Sequence, residues 1–170
     1  REQAVEGPPV HQYSVRILAH SFHLTGQLEV IGSLVGFLVD PVRDALVLSQ
    51  ARATPITPGG AMRGMNLATV SIRKQEVLFI EFMDQEARDQ VRLLARQEPL
   101  IIYTPLAILR GLVPLSAEAR LSDFLATSTM AFLPVIDAQL FFVRDLPVPF
   151  PQKCDLLFVG REHVQMFHEA

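Results

Sequence analysis

The chain has one cysteine, Cys154, no tryptophan and two tyrosines in 170 residues. A single thiol cannot build a disulfide framework, and a reducing compartment fits it best. Only 19% of the residues are charged and the net charge is −3, so no global field draws the chain to nucleic acid or to an anionic membrane. No run approaches the ~18 apolar residues of a membrane helix. The N-terminus has no charged segment followed by an apolar one, so no signal peptide is expected, and a chain that begins with Arg1 is expected to have had something upstream. These features together make a cytoplasmic location the expectation.

The chemistry-bearing residues are equally sparse. The five histidines are scattered and Cys154 has no evident histidine partner, so neither a metal site of three or four close ligands nor a cofactor is expected. The stretch from Pro58 through Gly59, Gly60, Ala61, Met62 and Arg63 to Gly64 is glycine-rich but lacks the Gly-Lys-Ser/Thr ending of a phosphate-binding loop. Arg63, Arg73 and Lys74 form a local basic cluster without aromatic neighbours on which bases would stack. Asp123 follows Arg120 by three residues and Asp137 lies at a strand end, an arrangement that reads as a surface ion pair and a backbone-bonded turn residue. With no paired acid and base, an enzyme is not expected.

What the chain has is apolar mass. It is 49% hydrophobic with positive mean hydropathy, enough for a core and for surface buried in an assembly. It also matches itself. At an offset of 87 residues Leu34, Phe37 and Leu38 fall on Leu121, Phe124 and Leu125, Leu46 on Leu133, Ala51 on Ala138, and Ile72 on Val159. Upstream the offset is 85, placing Gly26 on Gly111 and Leu28 on Val113. A self-match at near-constant spacing points to one unit used twice.

Apolar–polar alternation predicts strands over Tyr13–His20 and Phe22–Ile31, paired as a hairpin with a bend at Gly26. Leu34, Phe37 and Leu38 then form one face of a short helix, matched by Leu121, Phe124 and Leu125, for which Ser116 is a candidate N-cap. Ala45–Ala53 is the third strand, 54–67 a long loop with adaptable Met62 and Met65, and Ala68–Lys74 and Val77–Phe82 the last two strands of the first unit. Asp84 is read as the cap of a helix over Gln85–Gln97, with an Asp84–Arg88 pair and a stop at Pro99. The second unit has strands over Leu100–Thr104, Ile108–Leu115, Met130–Val143 (broken or bent at Pro134), Cys154–Val159 and His163–His168. The expected fold is mainly β: two repeated five-stranded antiparallel small barrel-like units, each with a short helix between its second and third strands, joined by one amphipathic helix. The expected boundaries are a 1–11 linker, a 12–83 unit, an 84–98 linking helix and a 99–170 unit.

Two resemblances follow from these residues. Gly26, Leu28, Leu48 to Ala51 and then Ile72-Arg73-Lys74 resemble the motif order of Sm-like small barrels, which would imply RNA binding. Tyr103-Thr104-Pro105, Gly111, Ala119 to Leu125 and Phe132 to Ala138 resemble an uncharacterised prokaryotic family of small β domains, over about 70 residues, which implies a fold and no activity.

The expected function is therefore a non-enzymatic assembly or protein-interaction module, pairing with itself as a homo-oligomer or with a larger complex. Its candidate contacts are Met62, Arg63, Met65, Arg120, Asp123, Phe141 and Phe142, with Val77–Phe82 and Leu140–Val143 as phenylalanine-rich interface strands. The alternative is a ligand-binding or regulatory domain, its site between the two units and formed by Arg120, Asp123 and the 54–67 loop.

Overall fold

The computed structural model describes residues 7, 9–40, 42–57, 60, 62–91, 96–115, 120, 122, 123, 126 and 130–170. Its strands are β1 (Val10–Ala19), β2 (Phe22–Ile31), β3 (Ala45–Pro55), β4 (Met65–Arg73), β5 (Val77–Phe82), β6 (Arg96–Tyr103), β7 (Ala107–Leu115), β8 (Phe132–Phe142), β9 (Lys153–Gly160) and β10 (Met166–Glu169). Helices α1 (Leu34–Val39) and α2 (Gln85–Val91) follow β2 and β5.

All ten strands lie in one open antiparallel sheet, in the order β10-β6-β7-β8-β9-β5-β1-β2-β3-β4. In each half the fifth strand lies beside the first and the other four follow as a meander. The halves meet where β5 pairs with β9, Phe79 opposite Val159, Ile80 opposite Phe158 and Glu81 opposite Leu157. This seam is buried on both faces. Phe132, Ile136, Leu156 and Phe158 face one hydrophobic cluster, whereas Leu133, Val135, Leu157 and Val159, between them in sequence, face the other. A strand covered on both faces must be apolar at consecutive positions, and β5, β8 and β9 are. The first cluster also holds Tyr13, Val15, Ile17, Leu28, Leu48 and the stripe Leu34, Phe37 and Leu38 of α1; the second holds Leu100, Ile102, Leu109, Val113 and Leu140.

Several local features occur at matching positions in both halves. Register shifts interrupt β2–β3 pairing at Gly26 and β7–β8 pairing at Gly111. Opposite them Gln50 and Asp137 adopt left-handed φ values of 48° and 50°. The glycines are needed: a Cβ on Gly26 would lie 2.9 Å from the Ser49 carbonyl oxygen, and one on Gly111 would lie 3.1 Å from that of Ile136. A 3₁₀ turn follows β4 over Lys74–Glu76 and another follows β9 over Arg161–His163. Lys74 N donates to Asp44 O and Arg161 N to Ala131 O; Met83 N donates to Ser14 O and Ala170 N to Pro99 O.

Several of the sequence expectations need correction. The helix predicted over Gln85–Gln97 ends as α2 at Val91, residues 92–95 lie outside those described, and Arg96, Gln97 and Glu98 already belong to β6. Pro99 sits within β6, before that strand meets β10 at Leu100, so its missing N–H costs no ladder bond on that side. Pro134 does not break β8: pairing with β7 ends at Ile136, and Pro134 lies opposite only Phe158 of β9. The irregularity falls at Asp137, which lies within β8 and not at its end. The connection over 54–67 is shorter, because β3 runs to Pro55 and β4 starts at Met65. The second short helix falls largely outside the described residues, including Ser116, Leu121, Phe124 and Leu125; Ser122, Asp123 and Ala126 are helical. In α1 the cap is Ser33, whose hydroxyl oxygen accepts from Gly36 N at 3.2 Å.

Candidate interaction surface

Among the described residues the open ends of the sheet are β4 and β10, each presenting backbone donors and acceptors without a neighbouring strand. β10 is exposed along its whole length, with Met166 58% and Phe167 36% accessible. β4 carries exposed Met65 at its start and half-buried Leu67, Val70 and Ile72, which pack on the first hydrophobic cluster. The side chains between them, Thr69, Ser71 and Arg73, are exposed and polar. Arg73 is held to Asp44 at 3.4 Å, a charged end to the strand.

The candidate contact residues are dispersed. Met62, Arg63 and Met65 lie at the β4 end of the sheet and are exposed. Arg120 and Asp123 are exposed in the connection before β8. Phe141 is 54% exposed on β8, near exposed Val143. Phe142 is half-buried, its ring 6.0 Å from that of Phe150 in an edge-to-face contact. Of the two phenylalanine-rich stretches, Val77–Phe82 is not available to a partner: β5 is paired on both sides, by β1 and β9, and is buried nearly throughout.

The basic cluster divides in the same way. Lys74 is 7% exposed and its Nζ donates to the carbonyl oxygens of Asp40 at 2.9 Å and Phe37 at 3.1 Å, closing the C-terminus of α1. Burial lowers its pKa below the ordinary lysine value, with the Arg43 charge acting the same way and Asp40 and Asp44 opposing. Lys74 thus closes the end of α1. Arg43 stacks over the Phe37 ring at 4.8 Å.

A cleft of about 220 Å³ does open between the halves. Its walls are Asp40, Arg43, Asp44 and Lys74 from the first half and Met130, Arg161, Glu162 and His163 from the second. Among the described residues, Arg120, Asp123 and those of the 54–67 loop are not in its lining. His163 Nε2 lies 2.6 Å from Gln75 O and so ties the two 3₁₀ turns together across the cleft.

Further polar contacts cross the strands beside the seam. Arg16 on β1 pairs with Glu81 on β5 at 3.1 Å, half-buried. Burial raises the Glu81 pKa against the opposing pull of Arg16. Asp84 stands at the N-cap position of α2, where its carbonyl oxygen accepts from Arg88 N at 3.4 Å, while its carboxylate accepts from Ser14 N at 2.6 Å. Arg88 pairs with Asp155 on β9 instead of Asp84 and also donates to Met83 O at 2.7 Å. Cys154 is buried, and its thiol is pushed up to about 12 by desolvation, with Glu81 adding to it. His23 is a buried group that the spacing His20-x-x-His23 gave no reason to single out. It is 5% exposed, its Nε2 has no hydrogen-bond partner, and its ring meets that of Phe150 edge-on at 6.2 Å.

Compared with protein-family models, curated proteins and solved structures, the chain matches none. Among the described residues, no helix is long and apolar enough to cross a membrane.

Proposed function

We propose that this chain is a non-enzymatic assembly module of the cytoplasm, made of two copies of one five-stranded unit. The duplication is supported by the twofold occurrence of the strand order, the glycine-opposed bulge, the 3₁₀ turn and the backbone hydrogen bonds around them, at the offsets of 85 and 87 residues seen in the sequence. The observation that carries the assembly reading is the pair of open sheet edges, one flanked by Met65 and the other by Met166 and Phe167, all accessible to a partner strand. Chemistry has little support beside it: the titratable side chains near the seam are engaged in ion pairs, caps or burial, with Arg16 on Glu81, Lys74 on the end of α1 and Cys154 held as the thiol. Light scattering across a range of protein concentrations tests the reading. A mass above that of one chain, or a protein partner retained through purification, is the expected result; a monomer at every concentration with no retained partner overturns it.

The second reading, a small ligand held between the halves, is favoured by the cleft of mixed charge lined by Arg43, Asp44, Arg161 and Glu162. Native mass spectrometry of the purified protein distinguishes the two. A bound molecule that is lost on Arg43→Ala supports the cleft reading, and a bare chain mass counts against it.

A further inference from the structure

The seam inside the chain joins the fourth strand of one half, β9, to the fifth strand of the other, β5. The strands left open are β4, the fourth of the first half, and β10, the fifth of the second. The free edges are therefore the same two kinds of edge that meet at the seam, one of each. We propose that a second copy of this chain docks its β10 against β4 in the register of the seam, which sets Met166 opposite Ile72, Phe167 opposite Ser71 and His168 opposite Val70. This deepens the assembly reading and rests on it, because the register is carried over through the correspondence of the two halves.

The occupant is a second copy because the contact continues an interface that the chain already makes within itself. On one face the apolar complement is present: Val70 and Ile72 stand where Leu157 and Val159 stand at the seam, and Met166 stands where Phe79 does. On the other face it is reduced. Ser71 replaces Phe158, and Glu169 replaces Phe82, whose rings at the seam meet edge-to-face 5.4 Å apart. Arg73 replaces Gly160, where a Cβ would lie 2.2 Å from the Val77 carbonyl oxygen, so the close approach at that end is not reproduced. The contact between copies is consequently one-faced and reversible, whereas the seam is permanent. It is also heterologous, joining unlike edges, so each added copy leaves one β4 and one β10 free until a ring closes.

Cross-linking in register tests this. The variant Met166→Cys/Ile72→Cys is treated with a short bis-maleimide, beside Met166→Cys/Leu67→Cys and each single variant. Leu67 lies about 17 Å along the strand from Ile72, at ~3.3 Å per residue. Native Cys154 is buried with its thiol protonated, so it does not compete. The expected result is a ladder of covalent multimers from the first pair, at least tenfold above the second, with the single variants inert. Equal yields from both pairs, or dimers from Met166→Cys alone, would show unregistered or like-with-like edge contact and overturn the proposal. Multimers by light scattering with no cross-link at 166–72 overturn the proposal and leave the assembly reading standing. A monomer at every concentration removes both.

Discussion

The seam and the two open ends of the sheet are built from the same kinds of strand, yet one is closed and the others are not. At the seam, Phe132, Ile136, Leu156, Phe158 and Gly160 provide a second apolar face and a close backbone approach. At the corresponding positions of the first half stand Ala45, Ser49, Thr69, Ser71 and Arg73. Backbone pairing is available at both places, so hydrogen bonding does not decide between them. The difference lies in how many faces of the strand leave water: apolar burial contributes roughly 25 cal/mol per Å², and each large side chain fully covered contributes about 1.5–3 kcal/mol. Four such side chains turn an edge into a fixed junction. Their small or polar replacements, Ala45, Ser49, Thr69 and Ser71, leave β4 with apolar cover on one face only.

The largest expected effect comes from emptying the seam. Phe158 is fully buried against Phe82, and Phe158→Ala is expected to cost about 3–5 kcal/mol of unfolding free energy in urea titration. Met166→Ala at the open edge is expected to change it by less than about 0.5 kcal/mol. Similar losses from both would mean that the seam is no better packed than the edge. Gly160→Ala comes next. Its Cβ would press on the Val77 carbonyl oxygen, and a cost of about 1–3 kcal/mol is expected, with β5 and β9 amides losing hydrogen-exchange protection first. Full protection there would show that the strands accommodate the added Cβ without opening and that the close approach is incidental.

The seam was the part hardest to see in the sequence. Half-buried strands announce themselves by alternation, and Phe22–Ile31 is bounded as the pattern predicts. The stripe of Leu34, Phe37 and Leu38 likewise marks α1, and all three side chains are buried. Strands covered on both faces lose that alternation, so the phenylalanines of Val77–Phe82 read as an interface with a partner when they belong to one within the chain. Pro134 misled for a related reason: whether a proline breaks a strand depends on which side its missing donor faces, and pairing partners are not written in local sequence. Lys74 read as a basic surface residue because nothing nearby in sequence announces the three carbonyl groups at the end of α1 that hold it. Of the candidate contacts, Met65 lies on an open edge, while Phe142 turns out to be tied into the second half by Phe150.

A graft in the opposite direction sharpens the comparison. Restoring seam residues to the free edge with Ser71→Phe/Arg73→Gly adds a second apolar contact and removes the obstructing Cβ. Self-association measured by sedimentation is expected to tighten about tenfold, ~1.4 kcal/mol, with the unfolding free energy of the single chain within about 1 kcal/mol of the parent. Unchanged association would mean that the edge is closed to a second copy for reasons other than these two positions.

The smallest effect expected is a change in pH dependence, and it comes from the contact between His23 of the first half and Phe150 of the second. Burial lowers the His23 pKa below its ordinary value of 6.5, and the nearby Arg16 charge lowers it further. The sign follows from which state binds the proton more readily. The unfolded chain takes it up near the ordinary value and the folded chain only at lower pH, so the stabilisation is intact above about 6.5 and is lost as pH falls from there through the folded value. A protonated ring would also be a buried cation with an unpartnered Nε2 beside Arg16. His23→Leu removes that proton site while keeping an apolar contact for Phe150. Melting curves between pH 7 and pH 5 should therefore fall less steeply for the variant than for the parent. Parallel pH profiles would assign the acid sensitivity to other groups and show that the contact between the halves is indifferent to the charge on His23.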